Sequence, residues 1–149
     1  MIDKYGSIFD TTAPFIAHGV NTHGVMGSGI AKQIKENFYP EFLEYQKLCN
    51  SYDTEKLVGT AQVCWTVADN FHSTLINLFT QDKPGPNAQY FWVLTSLMSA
   101  ASQVGGTVAI PEIGSGIGGL QWAKVSKIVE AVEIAYPYVD FEVWHNAEA

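Results

Sequence analysis

The chain contains no arginine: its eight basic residues are all lysine, set against fifteen Asp and Glu for a net charge of −7. Affinity for nucleic-acid backbones comes mainly from clustered Lys and Arg, so this balance excludes a general nucleic-acid surface. It also removes the planar bidentate clamp that Arg offers a phosphate, leaving lysines or backbone amides to hold one. The only two cysteines, Cys49 and Cys64, have neither metal-ligand spacing nor a C-x-x-C pattern, and are expected as buried, reduced thiols. No His, Cys, Asp and Glu cluster has metal-ligand spacing, so a chemistry without metal or cofactor is expected. No apolar run approaches the roughly 18 residues of a membrane span, and no basic, apolar, small-residue signal opens the chain. A cytoplasmic protein without a membrane partner is expected.

What the chain has is apolar mass: 47% of its 149 residues are hydrophobic and only 15% charged, a globular composition rather than a disordered one. That length suits one domain over residues 1–149. Residues 14–20 (PFIAHGV) read as a buried strand, and Ile30, Ile34 and Phe38 recur at the spacing of an amphipathic helix that Ser28 could cap. Residues 41–49 suggest a second helix; residues 61–68 and 73–79 suggest two strands joined by an Asp69-Asn70 turn. A proline-rich loop (80–88), a helix (88–102), a strand (107–111), a helix marked by Val125, Ile128, Val129 and Val132, and a strand (141–144) follow. Alternating strands and helices predict an α/β fold with a central mixed sheet covered on both faces, and ligands beyond the carboxyl ends of strands.

Two glycine-rich loops lie at such ends. The first, Asn21-Thr22-His23-Gly24-Val25-Met26-Gly27-Ser28-Gly29-Ile30-Ala31, leads from a strand into a helix, where outward-pointing amides suit an anion. It is not a Walker A loop, lacking the Gly-Lys-Ser/Thr ending, and it lacks the third glycine of a dinucleotide fingerprint. Alone it could be an ordinary tight turn. The second, Pro111-Glu112-Ile113-Gly114-Ser115-Gly116-Ile117-Gly118-Gly119-Leu120-Gln121-Trp122, again joins a strand to a helix. Two such loops at one sheet edge could wrap a pyrophosphate from both sides.

HGVN followed by MGSGIAKQI, then PEIGSGIGGLQW, in this order and separation, resembles the macrodomain family over nearly the whole chain. The nearest likeness is to compact macrodomains that include ADP-ribose-1″-phosphate phosphatases and ADP-ribosyl hydrolases. The resemblance implies a three-layer α/β/α fold that binds ADP-ribose or ADP-ribose-1″-phosphate. It places the distal ribose against Asn21, the diphosphate between the loops, Met26, Gly27, Ser28, Gly29 and Ile30 on the first wall, and Gly114, Ser115, Gly116, Ile117 and Gly118 on the second. Where many members read adenine with the Asp of a Gly-Asp-Ile run, this chain has Gly6-Ser7-Ile8, leaving the Ile8 amide, with Asp10 nearby. The deacylating hydrolases carry a Lys after the strand-end Thr and an Asp in the second loop. Here Gln81 and Gly118 stand in those places, with Lys83 two positions late.

Phosphate removal from the anomeric position is therefore the leading expectation, with His23 and His18 as candidate proton carriers and Asn21 orienting the ribose. His18 could equally be a buried strand histidine, and His23 a solvent-facing loop residue. His72 and His145 have no sequence companions and are expected as surface residues. Trp122 and Trp144 are expected to pack rather than to stack on a base. A non-catalytic reader of ADP-ribose or ADP-ribosylated macromolecules, and a hydrolase removing ADP-ribose from protein or nucleic acid, are the alternatives.

Overall fold

The computed structural model describes residues 1–65 and 72–146. Six strands form one sheet: β1 (Ile2–Tyr5), β2 (Phe15–Val20), β3 (Ala61–Val63), β4 (Thr74–Phe79), β5 (Gly106–Ile110) and β6 (Val139–His145). Among the described residues a short 3-10 helix (Ile8–Asp10) and five α-helices accompany them: α1 (Gly29–Asn37), α2 (Tyr39–Ser51), α3 (Thr54–Leu57), α4 (Tyr90–Gln103) and α5 (Trp122–Ala135). The strand order is β1-β6-β5-β2-β4-β3, parallel throughout except for β3, which runs antiparallel to β4. The expected mixed sheet is thus present. Among the described residues no helix is long and apolar enough to cross a membrane.

Strand burial explains the pairing. The central strands β2 and β4 are buried along almost their whole length, the pattern of parallel strands covered on both faces. Alternation splits their side chains between two layers. Phe15, Ala17, Ile76 and Leu78 join Val93, Leu97, Val125 and Val129 from α4 and α5. Ile16, Val20, Leu75 and Phe79 join Ile34, Phe38, Phe42 and Tyr45 from α1 and α2. The result is an α/β/α sandwich whose chain turns to opposite sides of β2: towards β4 after the α1–α3 layer, then back across to β5 through α4. Such a reversal opens a crevice at the carboxyl ends of the strands.

Two elements escape the periodicity. Strand β1 has all four residues exposed on the sheet edge and carries no alternation; α3 is a single turn. Of the expected strand over 61–68, Ala61–Val63 form β3 and the Cys64 amide donates to the Leu75 carbonyl at 2.9 Å, while residues 66–68 and the anticipated Asp69-Asn70 turn lie outside the described residues. Ser28 does occupy the N-cap position of α1, but its hydroxyl makes no capping bond. Cys64 is buried, whereas Cys49 is only half-buried, and neither is in a disulfide.

Candidate functional site

Three loops leave the carboxyl edge of the sheet side by side and enclose a cleft of about 320 Å³, at the lower end of small-molecule sites. The first wall follows β2 and the third follows β5, as the two glycine-rich sequences suggested. The loop after β4 forms a further wall and contributes Thr80, Gln81, Pro84 and Gly85. Of the expected ligand residues, Asn21, Gly27, Ser28, Gly29, Ile30, Gly114, Gly116, Ile117 and Gly118 line the cleft. Ile8 and Met26 are buried in the layer under α1 and α2. Ser115 is not part of the lining, and its hydroxyl donates to the Glu112 carbonyl at 2.8 Å.

The loop after β2 is organised by one amide. The Asn21 side-chain oxygen accepts the His23 N–H at 2.9 Å and lies 3.0 Å from the Tyr45 hydroxyl; its Nδ2 donates to the Val25 carbonyl at 2.9 Å. Because backbone N–H groups can only donate, these bonds fix which way the carboxamide faces. The Tyr45 hydroxyl also lies 2.6 Å from the Asn21 carbonyl, and burial pushes its pKa upward, so it stays a donor. Thr22 donates from its amide (2.9 Å) and its hydroxyl (2.6 Å) to the Asp82 carbonyl, tying this loop to its neighbour.

The loop after β5 is shaped by steric fit. A Cβ on Gly118 would stand 2.8 Å from the Gly114 carbonyl oxygen and 2.9 Å from Ala88 Cβ. The position where the deacylating hydrolases are expected to carry Asp therefore admits only glycine on this backbone. Gly116, two residues earlier, has no atom within 4 Å of its would-be Cβ, and its φ is not positive. Neither packing nor conformation demands glycine there. The Ala88 amide donates to the Gly118 carbonyl at 3.2 Å, linking this loop to the one after β4.

The expected proton carriers lie away from the lining. His18 is fully buried on β2, its Nε2 donating to Asn77 Oδ1 at 2.7 Å, while the Asn77 amide donates to Gln62 at 3.0 Å. Burial, opposed by the Asn77 bond, takes its pKa down to about 4, and its Nδ1 has no partner. His23 is exposed and is not part of the lining. Gln81 lines the cleft with its amide donating to the Lys83 and Gly85 carbonyls at 2.7 and 3.1 Å, while Lys83 itself is exposed.

His145 corrects the expectation of an isolated surface residue. Its Nε2 lies 2.8 Å from Asp3 on β1, and its Nδ1 lies 3.1 Å from Glu112, the residue that opens the loop after β5. The Asp3 bond, with Glu112 adding to it, raises the His145 pKa. Trp122 packs edge-on to its ring, with centroids 6.2 Å apart, and Trp144 donates to Glu142 at 2.9 Å. No motif signalled this cluster, because its members come from the first strand, the last strand and a loop.

Fold and site together define a class: a three-layer α/β/α module with a glycine-walled ligand cleft beyond the carboxyl ends of its parallel strands. The chain belongs to the macro domain family, whose model matches residues 17–129. It is 33% identical over 121 residues to an uncharacterized 17.5 kDa protein of Enterobacteria phage T4, covering 77% of each chain. It is 28% identical over 143 residues to a DNA ADP-ribosyl glycohydrolase of Mycobacterium tuberculosis, covering 93% of this chain and only 40% of that protein. With an ADP-ribose 1″-phosphate phosphatase of Candida albicans it shares 29% identity over 142 residues, covering 84% of this chain and 88% of that one. In three dimensions it is similar to the macrodomain of Mycobacterium tuberculosis DarG: the TM-score is 0.80 at 26% identity, covering 96% and 97% of the two chains.

Proposed function

We propose that the cleft binds ADP-ribose and that the diphosphate is received by backbone amides. The observation that carries this reading is the bareness of the walls. Gly27, Gly29 and Gly116 line the cleft, and Gly29 and Gly116 have nothing within 4 Å of a would-be Cβ. The start of α1 supplies unpaired N–H groups at the positive end of a helix dipole, the arrangement that holds phosphate without a cationic side chain. Lys and Arg are absent from the described lining, so amides are what remains.

A second reading, hydrolysis of ADP-ribose-1″-phosphate to ADP-ribose and phosphate, is favoured by the Candida phosphatase, which aligns along most of its length. That reaction needs an attacking water, a proton for the leaving oxygen and donors around the phosphate. Asn21 offers an N–H to a ribose or phosphate oxygen. His23 sits on the same loop and reaches the cleft only if that loop rearranges. Removal of ADP-ribose from macromolecules through a lysine adduct has less support: Gln81 stands in place of the amine, and Gly118 has no room for a carboxylate.

Calorimetry with ADP-ribose, and release of free phosphate from ADP-ribose-1″-phosphate without added metal, test both readings on one sample. Binding with phosphate release lost in His23→Ala or Asn21→Ala supports the phosphatase; binding without release assigns a reader. Absence of binding overturns the ligand itself.

A further inference from the structure

Among the described residues lining the cleft, Glu112 is the only one that carries a formal charge, and the charge is negative. A negative charge among the lining residues opposes the two phosphates of ADP-ribose, and this one is tethered. Glu112 is followed by the Ile113 to Gly118 turn, and its own carbonyl accepts the Ser115 hydroxyl, so its backbone is fixed relative to the second glycine-rich loop. Its carboxylate is held at 3.1 Å by His145, whose other nitrogen lies 2.8 Å from Asp3. The titratable groups facing His145 are therefore Asp3 and Tyr5 from β1 and Glu112 from the loop, with Trp122 of α5 edge-on. With His145 protonated the trio carries a net charge of one negative unit; with it neutral, two.

We propose that Glu112 is a specificity-determining residue of the cleft, limiting the negative charge its ligand can carry, and that the proton on His145 sets how strongly it does so. The inference rests on the ADP-ribose reading above and adds a sign to it. Loss of the His145 proton adds one unit of negative potential beside an anionic ligand, so affinity for ADP-ribose falls as pH rises. Linkage requires the reciprocal: bound ADP-ribose raises the pKa of His145. Because the Asp3 and Glu112 contacts raise that pKa above the usual histidine value, the change is centred above the pH at which an ordinary histidine titrates. The diphosphate of ADP-ribose is fully ionised throughout that range, so the ligand contributes no titration of its own.

The test is calorimetric titration of the full chain with ADP-ribose at intervals from about pH 6 to about pH 9, using the native protein, Glu112→Gln and His145→Gln, with His145 followed by NMR in each where it is present. The gain or loss of one unit charge near a dianion, partly screened by salt, is worth about a threefold change in affinity, so the native protein should lose about that much across the range. His145→Gln should bind with a flat profile at the weaker, high-pH level. Glu112→Gln should bind more tightly than the native protein at every pH, with its midpoint moved down because His145 has lost one carboxylate. Addition of ADP-ribose should move the native His145 titration upward. A native profile retained in His145→Gln, or a Glu112→Gln protein that binds no tighter than native, overturns the inference and leaves ADP-ribose binding intact. Failure of all three proteins to bind overturns both together.

Discussion

The two glycine-rich loops face each other across one cleft, yet they are held by opposite means. The loop after β2 is shaped by polar bonds that reach into the interior, from Asn21 to Tyr45, with the His18–Asn77 pair just upstream on the strand that feeds it. The loop after β5 is shaped by contact: Gly118 fits against Gly114 and Ala88, and Gly114 against Leu120. A polar scaffold depends on protonation and on exact partners; a steric one depends on volume. The difference teaches that glycine-rich sequence alone says little about what keeps a loop in place.

The largest expected effect sharpens the polar side. His18 is neutral in the fold with its pKa near 4, against an ordinary value of 6.5 when unfolded, so the unfolded chain binds the extra proton first. Stability is therefore complete above 6.5 and is lost as pH falls towards 4, at up to about 1.4 kcal/mol per pH unit and roughly 3 kcal/mol over the whole window. Urea denaturation as a function of pH should show this acid limb, and His18→Gln should flatten it. A limb unchanged in that variant would assign acid sensitivity to other groups.

Next comes the steric side. Gly118→Asp inserts a side chain where backbone and Ala88 already touch, and should cost about 2–3 kcal/mol, independent of pH between 6 and 8. Combining it with Gln81→Lys should not create a deacylating hydrolase, which an assay on ADP-ribosylated substrate checks. Tyr45→Phe should cost about 1–2 kcal/mol, since the Asn21 oxygens lose a buried donor, and should weaken ADP-ribose binding as the carboxamide loosens. The smallest change in stability belongs to Gly116→Ala, within about 0.5 kcal/mol of native or slightly stabilising. Its ADP-ribose affinity should nevertheless fall about tenfold, because the new methyl occupies the open face of the cleft. If Gly116→Ala bound normally, the bare-wall argument for the ligand would be lost.

Much of the fold was legible in the chain. The buried strands 14–20 and 73–79, the helical spacing of Ile30, Ile34 and Phe38, and both loop positions correspond to elements now seen within a residue or two. What stayed hidden has physical causes. Strand β1 is exposed on every residue and held by its neighbour rather than by its own pattern. The wall after β4 read as a proline-rich loop because its role arises from bonds distant in sequence, Asp82 to Thr22 and Ala88 to Gly118. Tyr45 falls in the helix read over residues 41–49, and only the fold brings its hydroxyl to Asn21. The Asp3, Glu112 and His145 cluster has no local spacing at all.

That cluster also bears on how the protein assembles. Asp3 and His145 are 142 positions apart in sequence, and they meet only when β1 pairs in parallel with β6 at the sheet edge. Closing so long a segment has an entropic cost that no local contact offsets in advance, and long-range parallel pairing is slow for that reason. Edge closure is thus expected among the last folding events, after the inner strands have docked. Ligand affinity tuned through Glu112 then becomes a reporter of completed folding: a chain whose first strand has not yet docked would possess both glycine loops and still lack the proper charge beside them.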